Sequence, residues 1–188
     1  MPRLRFVTAR DLFEAYPIAR DETDLEPTDA PSLDFMRALV DGGEPEKAIG
    51  FCAFLLPRRE AVGWAVHSVK TIIPARTRDE ELGLRAAEAW LREPEEDRRL
   101  TALQVGQEGR SDLPTTWLAL AAGWAGPTIP AVNGGEPQAI PAHQTARAVR
   151  VAVLLAGNRA VDFSQRDQTL RKCIENGAKV AMGEVLRT

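Results

Sequence analysis

Residues 45–69 read PEKAIGFCAFLLPRREAVGWAVHSV, two apolar helical patterns separated by a single proline. Apolar residues recur at helical spacing on both sides of Pro57: Ile49, Cys52, Ala53 and Leu56 before it, and Ala61, Trp64, Ala65 and Val69 after it. Because proline fits the first turn of a helix but breaks its interior, Pro45 and Pro57 each predict a helix start. Helices joined this tightly are expected to fold back as an αα-hairpin.

The same helical period recurs along most of the chain. Among the 188 residues there are 28 alanines and one tyrosine, and the alternation typical of strands is almost absent. The sequence therefore predicts an all-α fold, an irregular stack of helical hairpins with about eight or nine helices. A closed orthogonal helical bundle is the alternative.

Two parts are predicted along the chain. Residues 1–31 hold a short helix over residues 9–16, with Thr8 as its N-cap, and then an extended acidic linker over residues 21–31. Residues 32–188 form a single α-helical domain.

Three further features are expected within this domain. Ser32 caps its first helix, and Asp162 caps its last helix, on which Phe163 faces inward. Residues 126–141 carry four prolines and three glycines, which predicts an irregular loop. Structureless loops of this length tend to be functional or disordered.

Charge and hydropathy exclude several classes of protein. The chain carries 27 acidic and 24 basic residues, a net charge of −3, so it has no basic footprint for the phosphates of nucleic acid. Its longest apolar stretches, residues 117–126 and 151–157, fall short of the roughly 20 residues that span a bilayer. With no secretory signal at the N-terminus, the protein is expected in the cytoplasm, with no nucleic acid and no membrane partner.

The residues that usually carry catalysis or bind metals are few and widely spaced. The two cysteines, Cys52 and Cys173, are predicted to be buried thiols of a reducing compartment, although a disulfide between them is the alternative. The two histidines, His67 and His143, share no metal-ligand spacing with them or with each other. We therefore predict no catalytic, cofactor-binding or metal-binding residues, and no enzyme.

Two charged segments are the candidate interaction sites. The first is the acidic linker, with Asp21, Glu22, Asp24 and Glu26, which can dock on the basic C-terminal helices or bind a separate basic protein. The second is Arg58, Arg59 and Glu60 at the junction after Pro57, which predicts a network between neighbouring hairpins or a patch for a partner.

Four tryptophans also stand on alanine-rich apolar faces: Trp64, Trp90, Trp117 and Trp124. A large ring opposite alanines fills the gap between two helices, which favours a core position for each. An exposed aromatic anchor for a partner is the alternative.

Four stretches together resemble a family: LPRREAVGW (56–64), AAEAWLREPEEDRR (86–99), WLALAAGWAG (117–126) and PAHQTARAVRVAVLLA (141–156). The family is an uncharacterised bacterial domain of unknown function associated with type VI secretion gene clusters, and the resemblance covers about residues 32–158. It implies an α-helical, cytoplasmic bacterial protein and transfers no functional residues. Its members often have a second bulky aromatic beside Trp64, where this chain has Gly63, so a contact made there is altered.

The function expected from these observations is that of a non-enzymatic adaptor or accessory protein. Its partner would be another protein, such as a type VI secretion component or an effector. An immunity-type protein that occludes a toxin is one alternative, and an enzyme whose site is not visible in the sequence is another. The sequence leaves the oligomeric state open.

Overall fold

A computed structural model of the protein describes residues 4–131, 135–159 and 162–186. Within these residues the fold is all-α, as predicted, with ten helices and one antiparallel pair of two-residue strands. The helices are α1 (Ala9–Ala15), α2 (Pro17–Thr23), α3 (Ser32–Asp41), α4 (Pro45–Leu55), α5 (Arg58–Ile72), α6 (Arg78–Arg92), α7 (Glu96–Glu108), α8 (Pro114–Gly123), α9 (Gln144–Gly157) and α10 (Phe163–Ala181). The strands are β1 (Thr128–Ile129) and β2 (Gln138–Ala139).

Helices α4 and α5 begin where their prolines predict, but they do not form the expected hairpin. Leu56 is extended between them, and Pro57 is the N-cap of α5. Every residue of α4 from Ala48 to Leu55 is buried, because α4 packs against α2, α3, α9 and α10. Helix α5 instead packs on α6, α8, α9 and α10. Helix α4 is apolar on all sides, so several helices must cover it. Because α4 and α5 pack mostly against different neighbours, they diverge instead of lying side by side.

Helices α8 and α9 lie at the centre of the rest of the stack. Helix α8 packs against α6, α7 and α9, and α9 packs in addition against α4 and α5. Small side chains from both helices are completely buried, among them Ala119, Ala122, Ala148 and Ala152. Alanine at these contacts lets neighbouring helix axes come close together. The consecutive pairs α6–α7, α7–α8 and α8–α9 therefore form the stack of hairpins that the sequence predicts.

The N-terminal segment differs from the extended linker predicted there. Thr8 does cap α1, in a capping box with Asp11. However, Asp21 to Thr23 complete the second helix, α2, which Pro17 begins. Thr23 is buried and so is Leu25, so this segment is anchored to the core despite its charges. The domain boundary at residue 31 stays a prediction.

Three other local predictions need correction. Ser32 is the first residue of α3 and no cap, because its hydroxyl donates to the Phe6 carbonyl at 2.9 Å. Asp162 caps α10 as expected, but the Phe163 side chain is 79% exposed. In the loop at 126–141, β1 and β2 pair, and the buried Arg99 donates to the Thr128 carbonyl at 2.7 Å. Residues 132–134 of this loop lie outside the described residues.

The tryptophans divide between two environments. Trp64 and Trp90 are buried, as the core interpretation predicts, whereas Trp117 and Trp124 are half-buried. In the described part of the chain, none of the helices combines the length and the apolar character that crossing a bilayer requires.

Candidate functional site

The four acidic candidates of the N-terminal segment do not form one free acidic surface. Asp21 is exposed on α2. The other three form ion pairs: Glu22 with Arg147 at 3.3 Å, Asp24 with Lys47 at 3.5 Å, and Glu26 with Arg20 at 2.7 Å. The Glu22 side chain is only 12% exposed, and its partner lies on α9. Glu22 thus docks on one of the C-terminal helices. Binding of a separate partner by the four acidic residues stays a prediction.

The second group of candidates lies at the start of α5. The Arg58 guanidinium donates to two carbonyls just after α8, at 3.1 and 3.2 Å, and Arg59 donates to the Leu91 carbonyl at 2.7 Å. Carbonyls at helix ends lack partners within their own helix, so both arginines satisfy groups that need a donor. The Glu60 side chain makes no hydrogen bond or ion pair within the described residues. No ion pair or hydrogen bond of the described residues joins Arg58, Arg59 or Glu60 to the four acidic candidates.

An apolar groove of about 570 Å³ lies beside Glu60, between α5, α6 and the end of the chain after α10. Twelve residues line it: Glu60, Gly63, Trp64, Val66, His67, Glu88, Leu91, Arg92, Val180, Glu184, Val185 and Leu186. Apolar groups form most of its surface, and charged groups lie among them. We call this surface the α5–α6 groove.

The last described residues form one wall of the α5–α6 groove. Helix α10 ends at Ala181, and Gly183 follows with φ +88°, a left-handed conformation that favours glycine. This turn brings Val185 and Leu186 to the groove. Leu186 packs against the core, but Val185 is 90% exposed. An exposed valine beside other apolar side chains leaves this wall open to an apolar ligand.

Gly63, in the middle of α5, keeps the groove open. A Cβ atom at Gly63 would meet only the Leu91 Cδ2 atom, at 3.9 Å. A Cβ atom on any other helical glycine inside the fold would lie under 3.0 Å from a neighbouring atom, as at Gly50, Gly83, Gly106, Gly123, Gly157 and Gly177. Close packing thus requires those glycines, and it does not require Gly63. Since glycine in a helix costs about 1 kcal/mol relative to alanine, Gly63 lowers stability without a packing reason.

Trp64 is the rigid floor of the groove. Its side chain is 1% exposed, and its indole Nε1 donates to the Cys173 carbonyl of α10 at 2.8 Å. On the α10 side, Gly177 lies so close that a Cβ atom there would be 3.2 Å from the indole ring. The indole is therefore held by a hydrogen bond and by packing, and its groove side is preformed.

The rim of the groove carries both signs of charge. Glu88 pairs with Lys70 at 2.8 Å. Partial burial, together with the nearby Lys70 charge, lowers the pKa of His67 below its ordinary value, so this imidazole is neutral at pH 7. Glu60, Arg92 and the Glu184 carboxylate have no side-chain partner within the described residues. Two carboxylates and one guanidinium thus face solvent unpaired around an apolar floor.

The groups that could do covalent chemistry lie elsewhere. Cys52 and Cys173 are buried free thiols. Burial raises the pKa of the Cys173 thiol, an effect that the neighbouring Ser68 hydroxyl only partly offsets. Burial also raises the pKa of the Cys52 thiol. Both therefore stay protonated at neutral pH and are poor nucleophiles. Among the residues described, no group of three or more His, Cys, Asp or Glu side chains could hold a metal ion.

Most of the groove was not predicted from the sequence. Glu60 alone of the predicted site residues lines it. The sequence carries one signal of its presence, Gly63 in place of a bulky residue beside Trp64. The C-terminal wall gives no such signal, because Val180, Val185 and Leu186 share no helical face in the sequence pattern.

Fold and site together define a protein class: an all-α stack of helices with a preformed apolar groove. The chain belongs to a family of unknown function, DUF6931, whose model matches residues 35–181. The predicted resemblance to a family of unknown function is thereby confirmed, but the match carries no link to type VI secretion. No curated protein and no solved structure matches the chain.

Proposed function

We propose that this protein is a non-enzymatic adaptor or accessory protein that binds an apolar segment of another protein in the α5–α6 groove. The observation that carries the proposal is Gly63, a glycine inside a helix with open space where its side chain would be. Gly63 makes its helix less stable, and no close contact requires it. A glycine retained at such a position is consistent with a function for the groove that it leaves open.

The shape and chemistry of the groove support a protein ligand. Its volume of about 570 Å³ holds a few large side chains, and its floor is a buried tryptophan held in place from behind. The indole is only 1% exposed, so it supports the groove from beneath, and a preformed apolar groove loses little conformational entropy on binding.

The enzyme alternative finds little support in the same groove. The His67 side chain, the only imidazole among the described lining residues, has no hydrogen-bond partner within the described residues. A general base normally needs a second group to orient it and a nucleophile within reach. Glu88 is occupied by Lys70, so it is a poor candidate for that second group.

The identity of the partner is a separate part of the proposal. We propose as the partner a type VI secretion component or effector in the cytoplasm of a bacterium. This part of the proposal rests on the family resemblance alone. A toxin held by an immunity-type protein is the alternative that the same groove would serve. The two differ in what co-purifies: several secretion proteins in one case and a single toxin in the other.

Affinity capture with groove-blocking variants tests the proposal. The full chain, tagged at its N-terminus, is used to capture proteins from a lysate of the organism that encodes it, followed by quantitative mass spectrometry. Gly63→Phe places a ring in the groove, so we expect it to lose the stoichiometric partner. Gly63→Ala adds one methyl group and should lose less.

Gln168→Phe is the matched control, because it adds the same ring at an exposed position of α10 that does not line the groove. It should capture the partner as the wild-type chain does. Recovery of the same proteins at the same level by Gly63→Phe and by wild type would contradict the proposal.

A further inference from the structure

We infer that the segment bound in the α5–α6 groove is an amphipathic α-helix whose basic residues face Glu60 and Glu184. This inference rests on the function proposed above and specifies the partner's secondary structure and charge. It follows from three properties of the groove: its length, the state of its backbone groups and the unpaired charges on its rim.

The groove has the length of two helical turns. On α5 it is lined by Glu60, Gly63, Trp64, Val66 and His67, and all of these except Val66 occupy the positions i, i+3, i+4 and i+7 of one helical face. At a rise of 1.5 Å per residue this face is about 10 Å long. A partner helix presents apolar residues with the same spacing over the same length. Gly63 lies at the centre of the face, where a small residue lets two helices approach most closely.

The walls of the groove favour a helix over an extended segment. Helices α5, α6 and α10 form most of them, and the backbone groups of these helices are bonded within each helix. An extended segment binds best by adding to an open strand edge, and the helical walls offer none. Against apolar side chains its own N–H and C=O groups would lose water without gaining partners, whereas a helix satisfies them internally.

The rim indicates the sign of the partner's charge. Two carboxylates, Glu60 and Glu184, have no side-chain partner within the described residues, against one guanidinium, Arg92. The other acidic rim residue, Glu88, is already neutralised by Lys70. A ligand with lysine or arginine beside its apolar face therefore gains two attractive contacts, whereas an acidic ligand meets two repulsive ones.

Three synthetic peptides test the inference by fluorescence anisotropy with the full chain. Each has about 18 residues, long enough to form a helix on binding. The first combines leucine at i, i+3, i+4 and i+7 with lysine elsewhere. The second replaces each lysine by glutamate, and the third, of the same length, alternates leucine with lysine along its whole sequence. We expect the first to bind about tenfold more tightly than the second, since two exposed ion pairs replace two repulsions.

Four variants of the chain tie this binding to the groove. Gly63→Phe should weaken the first peptide at least about tenfold, because the added ring fills the site. Glu60→Gln and Glu184→Gln should each weaken it about two- to fivefold and reduce its salt dependence. Arg92→Gln is the control of opposite sign and should strengthen the binding of the first peptide by about twofold.

Each other outcome overturns the inference. Equal or tighter binding of the acidic peptide refutes the charge assignment, and equal binding of the alternating peptide refutes the helix. Binding of the first peptide that survives Gly63→Phe, or no binding at all, refutes the site as a receptor for basic helices. In all these cases the capture experiment still tests the proposed function separately. A partner that the wild-type chain captures and Gly63→Phe does not can bind the groove through a segment other than a basic helix.

Discussion

Trp64 lies between two glycines whose surroundings are opposite. On its α10 side, Gly177 leaves no space, because a Cβ atom there would overlap the Cys52 sulfur and come within 3.2 Å of the indole. On the α5 side, Gly63 faces an open groove, and its nearest neighbour would be 3.9 Å away. Both glycines lie inside a helix, and the packing of the interior explains only Gly177.

The difference shows how a glycine that serves folding can be told from one that serves a surface. At Gly177 the close contact of α10 with α4 and α5 compensates for the lower helix propensity of glycine. At Gly63 no contact compensates, so the sequence accepts a less stable helix. A residue that lowers helix stability beside an open apolar surface is expected where that surface binds a ligand, because nothing within the folded chain requires it.

The largest effect should follow from removing the ring that separates the two glycines. Trp64→Ala deletes a buried indole and leaves a cavity, so we expect a loss of about 3–5 kcal/mol in the free energy of unfolding, measured by urea denaturation. Trp64→Phe keeps most of the packing but removes the indole N–H that donates to the Cys173 carbonyl, and should cost less. A loss below about 1 kcal/mol for Trp64→Ala would mean that the indole does not hold α5 and α10 in place.

The next largest effect should appear at the crowded glycine. Gly177→Ala forces a methyl group against Cys52 and Trp64, and should lower the free energy of unfolding by about 1–3 kcal/mol. In the background of Cys52→Ala the same substitution should cost less, because the sulfur that blocks the methyl group is gone. If Gly177→Ala is neutral in both backgrounds, α10 is not pressed against this ring.

The buried thiols report on the crowded side directly. Burial raises the pKa of Cys52 and of Cys173, so in the native protein both should react with Ellman's reagent only when the fold opens. Gly177→Ala should accelerate this labelling about tenfold for each 1.4 kcal/mol of lost stability. Gly63→Ala should not accelerate it. Fast labelling of the wild-type chain would show that this side of Trp64 is open as well.

The smallest effect should have the opposite sign. Gly63→Ala restores helix propensity without a close contact, so it should raise the free energy of unfolding by about 0.5–1 kcal/mol in the same urea experiment. A decrease would mean that Gly63 is needed inside the fold, and the case for the groove would lose its main observation.

Local signals in the sequence predicted most helices well. Pro45 occupies the first turn of a helix, and Thr8 and Asp162 cap the helices that follow them. These signals act within one turn of the chain, so they operate with or without tertiary contacts. The failures came where burial overrides local composition, as in the acidic segment that α2 and Leu25 anchor to the core.

Arrangements between helices were harder to predict. The tight junction at Pro57 suggested a hairpin, but the angle there is set by the several helices that cover α4, and no local pattern encodes it. Arg58 and Arg59 were predicted to form a network between hairpins or a patch for a partner, and the pattern gave no sign that carbonyls at the ends of α6 and α8 would be their hydrogen-bond partners. Side chains of this length find whichever unpaired groups the packing brings near them.

The sequence by itself determined the all-α class and the start and end of most helices, because helical periodicity and capping are properties of short segments. Tertiary structure alone decided that Gly177 is enclosed and Gly63 is open. The two glycines have the same letter and the same helical setting, and they differ only in what distant parts of the chain place beside them: Cys52 and the ring of Trp64 at one, open space at the other.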